Sequence, residues 1–523
     1  MRLIRTFKKA LRQPLWLAAA VLPLAPLLVL PFGGGAPAML AIAAAGLVPL
    51  GSLTALTVWH TGRRIREQTA RPTLSPAVRT GTTRLPRPRQ RELDRWRARL
   101  DGGWAITAGA ELLRAAEDEE EHSEYRVRAL TALAEHHAAR RREARAPRHH
   151  DLDIVIVSAM NLLGGTTSAN EAEILAYRGA GLRVGVVHHP VYDRALDRPV
   201  HDKIRSLIDD ERVVEVRPHD SVRCDLLIVR FPTAMERLMD ELPQIDAGRS
   251  VLLVNQTPHE EYGPAGGYGT SWNIRDVHAN LTKWIGPHTW YAIGPAVRDV
   301  LRTHHAHDMA DIDLAADFWY ETIDLAEWTP ANRRVRGPND PVRVGRHSRD
   351  HVTKFPNMAK QLLDAYPARD DIEIHVLGGE HALRRIVGGP PAGWVSHPFG
   401  AITPVEFLGG IDVHSYFIDH QYIEAFGRSP LEAMAARVPC ILPPSFAELF
   451  GEGAVYCEPA EVEAHVRRIA DDPAYRAARI EAGLRVIEER FSPAALIRRV
   501  RGLGATGVRP SVPTDTEQIV SAA

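Results

Sequence analysis

Two parts of this sequence alternate continuously apolar segments with loops and amphipathic segments, and this alternation limits the fold more than any other feature. The first part opens with DIVIVSA (153–159), a glycine loop and an amphipathic stretch, and then LRVGVVHHP (182–190). The second part opens near residue 341 with PVRVGRHS and continues with DIEIHVLGG. Unbroken apolar strands are typical of parallel sheets that helices cover on both faces. The pattern therefore predicts an α/β chain with two doubly wound, Rossmann-like domains.

The chain length fits this organisation, since 523 residues exceed what one ordinary core holds. We expect a first domain over 151–335 and a second over 336–503, with a Pro-, Asn- and Gly-rich connection between them. A last long helix is predicted over 461–491, followed by a segment that crosses back to the first domain. Residues 61–150 read as a linker and a helical stalk or a helical pair that packs on the first domain. A disordered tail is expected over 504–523.

The N-terminal 60 residues contain two stretches without a charged side chain, 14–31 and 37–59. The second exceeds the length of about 20 apolar residues that spans a bilayer, and the first barely reaches it with the help of its flanks. Positive residues precede and follow the pair, which places both ends on the cytoplasmic side. We therefore predict a transmembrane hairpin over 1–60, with the later domains at the cell membrane on its cytoplasmic face. A cleaved signal peptide followed by a hydrophobic stretch, or an apolar hairpin lying in the interface, are the alternatives.

Charge and cysteine content exclude several partners. The chain has 64 Lys and Arg against 65 Asp and Glu, so no global field attracts nucleic acid. Its three cysteines are far apart and lack the spacing of a zinc or iron–sulfur site. The Asp-x-Asp strings at 151–153 and 311–313 suit a metal poorly, because the first precedes its strand and the second falls in a predicted helix. We expect no metal site and no nucleic-acid partner.

Two loops that follow predicted strands could face an anion. Gly164 and Gly165 lie between the first strand and its helix, where backbone amides can approach an anion, although such a pair is more often a tight turn. The loop VGRHSRDHVTKFP carries Arg346, Arg349 and Lys354 directly after a strand. Three cations at the carboxyl end of a strand could neutralise a diphosphate, and surface solubility is the alternative.

A third stretch, YIEAFGRSPLEAMAARVPC, holds Glu424 and Glu432 around the predicted start of a helix. If the helix begins at Ser429 or Pro430, Glu432 falls in its first turn, where the helix dipole favours a carboxylate. That explanation leaves Glu424 without a role. Two carboxylates at a helix N-terminus suit a ligand that bears both hydroxyl groups and phosphate.

These residues resemble a known family. The stretch EAFGRSPLEAMAARVPC, the downstream FAELFGEGAVYCEP and the preceding basic loop occur in the order found in retaining GT-B glycosyltransferases, especially glycosyltransferase family four. The resemblance covers most of residues 150–500 and is strongest in the second domain. It implies the GT-B fold, in which two facing Rossmann-like domains form a cleft, with the acceptor in the first domain and the nucleotide-sugar in the second.

The resemblance also implies roles for individual residues. Glu424 would contact the donor sugar, Glu432 would hold the ribose hydroxyls, and Lys354 would bind the diphosphate together with either Arg346 or Arg349. The remaining candidates for the nucleotide-sugar are the amides and side chains at the helix start, the loops that resemble those around the base, and the first glycine loop: Phe426, Gly427, Arg428, Ser429, Gly378, Gly379, Val395 and Gly165. The acceptor candidates are Asn255 and His259.

The implied activity is a membrane-anchored glycosyltransferase that moves a sugar from a nucleotide-sugar to a glycan or lipid-linked acceptor. Transfer would proceed with retention and without a metal ion. No cofactor is implied, because the nucleotide-sugar is itself a substrate. Two alternatives remain open from the residues. One is a non-catalytic GT-B protein that serves as a membrane scaffold or partner subunit, and the other is another GT-B enzyme such as a sugar-nucleotide epimerase.

Overall fold

The computed structural model describes residues 85–143, 146–263 and 266–507. The predicted membrane hairpin (1–60) lies outside these residues, as does most of the predicted tail. Among the residues that the structure describes, no helix is both long enough and apolar enough to cross a membrane.

Among the described residues, three helices precede the first sheet and form a small bundle: α1 (Arg87–Asp101), α2 (Ala105–Glu117) and α3 (Ser123–Glu143). Leu93, Leu112 and Tyr125 lie in its own buried apolar cluster. The bundle is fixed to the first domain at polar contacts as well, since the Trp104 indole N–H donates to the Leu238 carbonyl over 2.9 Å. It therefore packs on the first domain rather than standing free in solvent.

The first sheet has six parallel strands in the order β3-β2-β1-β4-β5-β8. Its strands are β1 (His149–Ser158), β2 (Val184–His188), β3 (Val213–Glu215), β4 (Ser221–Arg230), β5 (Gln244–Val254) and β8 (Thr289–Ala292). The helices among them are α4 (Gly165–Gly179), α5 (Asp202–Arg205), α6 (Pro232–Met235), α7 (Ile274–Ile285) and, after the last strand, α8 (Pro295–His304). An antiparallel hairpin of β6 (His259–Gly263) and β7 (Gly266–Thr270) projects from this domain.

The second sheet repeats the architecture with the order β11-β10-β9-β12-β13-β14. Its strands are β9 (Val342–His347), β10 (Ile372–Leu377), β11 (Trp394–His397), β12 (Val413–Ser415), β13 (Cys440–Leu442) and β14 (Val455–Tyr456). Its helices are α9 (Ala359–Ala365), α10 (Glu380–Val387), α11 (Pro404–Gly409), α12 (Arg428–Ala435), α13 (Ala447–Phe450), α14 (Val462–Asp471) and α15 (Pro473–Val486), and α16 (Pro493–Gly502) ends the described chain. Two parallel α/β sheets are thus confirmed. Ligands of such sheets bind outside the carboxyl ends of the strands, where the strand order reverses.

The chain passes between the domains twice, at neighbouring points. The forward connection includes Thr322 and Ile323, and the return runs through Phe491 before α16. The Phe491 carbonyl accepts from the Ile323 amide over 2.8 Å and from the Thr322 hydroxyl over 3.0 Å. Leu496 of α16 lies in the same buried cluster as Ile156 of β1. The end of the second domain is therefore part of the core of the first.

Two predictions of local structure were wrong. The long helix over 461–491 is divided, because Asp472 ends α14 and its side chain accepts from the Tyr475 amide to begin α15. The segment that contains Asp311 and Asp313 is not helical. The Asp313 carbonyl instead accepts from the Trp290 amide over 2.7 Å, so this segment follows the edge of β8.

Candidate active site

The loops at the carboxyl end of the second sheet form one wall of a cleft of about 80 Å³. The opposite wall is the start of α8, with Pro295 and Ala296, which belongs to the first domain. Tyr422, Glu424 and Phe446 line the wall from the second domain. The cleft therefore lies between the two sheets, and Glu424 is one of the residues that line it.

Glu424, which lines this cleft, forms a nearly buried ion pair with Lys354, although 70 positions separate them. Lys354 ends a single 3-10 turn (Val352–Lys354) in the loop after β9, and its side chain is 10% exposed, against 14% for Glu424. The Tyr416 hydroxyl donates to the same carboxylate over 2.8 Å, and the ammonium donates to the Tyr422 hydroxyl over 3.2 Å. Burial is the largest effect and opposes the lysine charge, but the charges and hydrogen bonds of Glu424 and Tyr422 together outweigh it and raise the pKa of Lys354.

Glu432 sits between two cationic or protonatable partners. Its carboxylate contacts His347 Nε2 over 2.8 Å and accepts from Arg428 Nε over 3.0 Å. Burial opposes its ionisation, yet the hydrogen bond and charge of His347 and the charge of Arg428 together lower the pKa of Glu432. The side chain is 12% exposed. Glu432 is therefore held ionised in one orientation by its neighbours.

Helix α12 begins earlier than predicted, and this changes the position of Glu432. Arg428 is its first residue, so Glu432 lies in the second turn and the first turn holds no acidic residue. Gly427 precedes the helix in the left-handed conformation with φ 88°. Ser429 lies buried in the first turn, and its hydroxyl donates to the His347 carbonyl over 2.7 Å. The contacts with His347 and Arg428, rather than the helix dipole, account for the state of Glu432.

The conformation of Gly427 gives a test of how tightly this helix start is built. A methyl group at Gly427 would stand 2.7 Å from the Phe446 ring, whereas one at Gly388, also left-handed at φ 84°, would meet nothing within 4 Å. We expect Gly388→Ala to lower the free energy of unfolding by about 1–2 kcal/mol and Gly427→Ala by about 2–5 kcal/mol, since only the second adds a steric conflict. Urea denaturation of both variants measures the difference. Equal losses would contradict the packing described here.

The two candidate arginines of the basic loop have different surroundings. Arg346 is fully buried, with its guanidinium 3.8 Å from the Phe355 ring centroid, and it donates to the Phe417 carbonyl over 3.2 Å. Arg349 is exposed, and its side chain has no hydrogen bond or ion pair with any residue in the described part of the chain. Arg346 thus stabilises the loop from the interior of the domain, while the guanidinium of Arg349 is open to solvent.

The glycine pair after β10 is packed against the basic loop. A Cβ atom at Gly378 would lie 2.2 Å from the Ser348 carbonyl oxygen, and one at Gly379 would lie 2.3 Å from the Phe355 ring. Both glycines have positive φ, at 75° and 140°. Only glycine fits these positions without displacement of a neighbour. Val395, on the edge strand β11, is 39% exposed and contributes an apolar surface at this side of the sheet.

The first-domain candidates lie in two places. Gly165 begins α4, and the Asn255 amide after β5 donates to the hydroxyl of the next residue of that helix, Thr166, over 3.3 Å. His259 lies instead on the β6–β7 hairpin, where its ring stacks on His305 with centroids 5.2 Å apart. Burial lowers the pKa of His259. The structure therefore brings Gly165 and Asn255 together and places His259 in a separate histidine contact.

Several residues that complete the site were not predicted from the sequence. Tyr416 and Tyr422 hydrogen-bond the Glu424–Lys354 pair, His347 contacts Glu432, and Glu321 contacts Arg428. Tyr416 and His347 stand at strand ends, which was a usable signal, because side chains there face the ligand edge of a parallel sheet. Nothing in the local sequence marks Glu321.

The comparisons with known proteins give structural neighbours only. No family model and no curated protein matches this chain. Among solved structures, TarM is 16% identical over 53% of this chain and 54% of its own, with a TM-score of 0.36. A glycosyltransferase from Rickettsia africae is 13% identical over 69% of this chain and 99% of its own, with a TM-score of 0.43. An alpha-glucosyltransferase solved with UDP and a 13-mer DNA is 11% identical over 68% and 99%, also at 0.43. Similarity of this degree does not extend to activity.

Proposed function

We propose that this chain is a retaining GT-B glycosyltransferase that moves a sugar from a nucleotide-sugar to a glycan or lipid-linked acceptor. The observation that carries the proposal is the Glu424–Lys354 pair, whose carboxylate lines the cleft shortly before α12 begins. A carboxylate for sugar hydroxyls and a cation for phosphate thus occur within contact of each other. The second carboxylate, Glu432, lies in α12 and has lone pairs left for a second set of hydroxyls.

The chemistry requires stabilisation of the departing diphosphate more than a strong base. Lys354, the solvent-open Arg349 and the backbone amides at the start of α12 supply positive charge and hydrogen bonds for it. In the transfer, the bond from the anomeric carbon to the phosphate oxygen breaks as the acceptor oxygen bonds to the same face, and the acceptor proton passes to the phosphate. Glu424 orients the sugar, and Glu432 holds the ribose. No metal ion enters this scheme, because the cations take its place.

The first domain would hold the acceptor. The candidates for acceptor binding are Asn255, in the loop after β5, and His259, on the β6–β7 hairpin. The hairpin contacts the second domain where the Tyr262 amide lies 3.5 Å from the Gln421 carbonyl. Residues 1–60 would anchor the protein at the cytoplasmic side of the cell membrane, as their apolar stretches suggest. A lipid-linked or cell-envelope acceptor suits that location.

Thermal unfolding of the full-length protein in detergent, with UDP, GDP or ADP added, tests the proposal first. We expect one of them to raise the melting temperature, because a ligand at 100 times its Kd stabilises the folded state by about 2.7 kcal/mol. Incubation with the matching nucleotide-sugars should then release the nucleoside diphosphate. A protein that responds to none of the nucleotides would be a non-catalytic scaffold. Interconversion of sugars without an acceptor would identify an epimerase.

A further inference from the structure

Arg428 joins the candidate ribose carboxylate to the connection between the domains. Its Nε donates to Glu432 over 3.0 Å, while one terminal nitrogen donates to the Thr322 carbonyl over 3.2 Å and lies 3.4 Å from Glu321. The side chains of Arg428, Glu321 and Glu432 are 23%, 12% and 12% exposed. One guanidinium therefore bridges two poorly hydrated carboxylates, one in α12 and one in the forward connection.

The charges continue into the core of the first domain. Arg230, the last residue of β4, pairs with Glu173 of α4, and both are buried. Burial raises the pKa of Glu321, and the charges of Arg428 and Arg230 act against that rise. Glu173, Arg230, Glu321, Arg428 and Glu432 thus alternate in sign, and we refer to these five residues as the interdomain charge chain.

The interdomain charge chain passes the place where the polypeptide crosses between domains. Thr322, whose carbonyl accepts from Arg428, also donates its hydroxyl to the Phe491 carbonyl of the return crossing. A change in the orientation of the domains alters the backbone at this point. Arg428 is the one side chain in the described residues that contacts Glu432, Glu321 and Thr322 together.

We propose that Arg428 is a positioning residue that, through Glu321, couples the binding of the nucleotide at Glu432 to the connection between the two domains. This inference rests on the proposed function. Each oxygen of Glu432 can accept further hydrogen bonds beyond its contacts with Arg428 and His347. The orientation of those free lone pairs depends on where Arg428 is held, and Glu321 and Thr322 hold it. Glu321 acts on nucleotide binding without touching the nucleotide.

The physical reason is the balance of charge around one guanidinium. When Glu321 is ionised, the Arg428 guanidinium is shared between Glu321 and Glu432 and cannot form its full ion pair with Glu432. With Glu321 neutral, Arg428 pairs fully with Glu432 and competes with the ribose hydroxyls. Without Arg428, Glu432 and Glu321 lose their shared counter-charge, and a buried carboxylate without one takes up a proton more readily.

The experiment measures the affinity of the full-length protein for whichever of UDP, GDP and ADP gives the wild type its largest thermal shift. We expect Glu321→Gln and Arg428→Met each to weaken binding about tenfold, within the range of coupling between groups in contact. Glu448→Gln is the matched control. It removes a different ion pair between the domains, with Arg298 at 2.8 Å, and Glu448 is 52% exposed, so binding should stay unchanged.

The dependence of affinity on pH separates positioning from a general loss of structure. In Arg428→Met, affinity should fall as pH decreases from 8 to about 5.5, because protonated Glu432 loses an acceptor. His347 of β9, His414 of β12 and Glu321 of the connection also face this region and remain in both proteins. The comparison with the wild type therefore isolates the effect of Arg428. Arg428→Lys keeps the charge and should recover much of the affinity at pH 5.5.

The outcomes are distinguishable. Weakened binding in Glu321→Gln with normal binding in Glu448→Gln supports the coupling. Wild-type affinity in Glu321→Gln overturns it while the proposed function stands. A wild-type protein that binds none of the three nucleotides overturns both. If Arg428→Met does not fold, Glu321→Gln, which keeps the shape of the side chain, and Arg428→Lys decide the question alone.

Discussion

Replacement of Lys354 by methionine is expected to reduce sugar transfer by about three orders of magnitude, the effect of removing one group that stabilises charge in a transition state. The ammonium is nearly buried beside Glu424, and methionine keeps the length of the side chain without its charge. Initial rates with the nucleotide-sugar identified by the release of nucleoside diphosphate measure the loss.

The control is Lys360→Met, in which the side chain is 83% exposed and pairs with Asp364 on the same helix. It should have wild-type activity. Since Lys354→Met leaves Glu424 buried without its partner, the variant should also lose stability, by about 3–5 kcal/mol. The double variant Lys354→Met, Glu424→Gln removes both charges and should regain much of that stability without regaining activity. A folded Lys354→Met protein with near-normal turnover would refute the role of this lysine in transfer.

Replacement of Glu424 by glutamine should lower turnover by a factor of about 100 to 1000 and leave the affinity for the nucleoside diphosphate within about threefold of the wild type. Its carboxylate contacts Lys354 and Tyr416 at the cleft. Of the proposed ligand, it contacts only the sugar. A nucleoside diphosphate lacks that sugar. Removal of this interaction therefore affects transfer rather than nucleotide binding.

Glu432→Gln is the matched comparison, because it makes the same chemical change eight positions later in the chain. It should weaken binding of the nucleoside diphosphate itself. Turnover measured at saturation and binding measured by calorimetry distinguish the two variants. If Glu424→Gln weakens nucleoside diphosphate binding as strongly as Glu432→Gln does, the two carboxylates do not divide the sugar and ribose roles as proposed.

The two parallel sheets were predictable because their strands are apolar on both faces, and a run such as DIVIVSA has few other stable environments. The β6–β7 hairpin was not predictable in this way. Its second strand, GGYGT, lacks alternating apolar residues and has three glycines, a residue depleted in strands, so contacts with the rest of the domain decide its conformation. The local sequence pattern thus located the strands that are buried on both faces and missed the exposed hairpin.

At the candidate site, the sequence indicated which loops carry charge but not which charges meet. Lys354 and Glu424 are 70 positions apart, and only the shared edge of the sheet brings them into contact. Arg346 and Arg349 fitted the basic loop equally well in sequence. Their difference arises from Phe355, Tyr366 and Tyr416, whose rings enclose the first arginine and leave the second outside. Such a difference depends on three-dimensional packing, and a linear pattern does not contain it.

The carbonyl of Phe491, which accepts from both Thr322 and Ile323, holds the two connections between the domains together at one point. Arg428 is hydrogen-bonded to Thr322 at these connections, whereas the contact between Tyr262 and Gln421 at the hairpin links the domains at another place. In the proposed coupling, a rotation of one domain against the other would therefore turn the Thr322 carbonyl relative to Arg428 and change the way Glu432 meets the ribose.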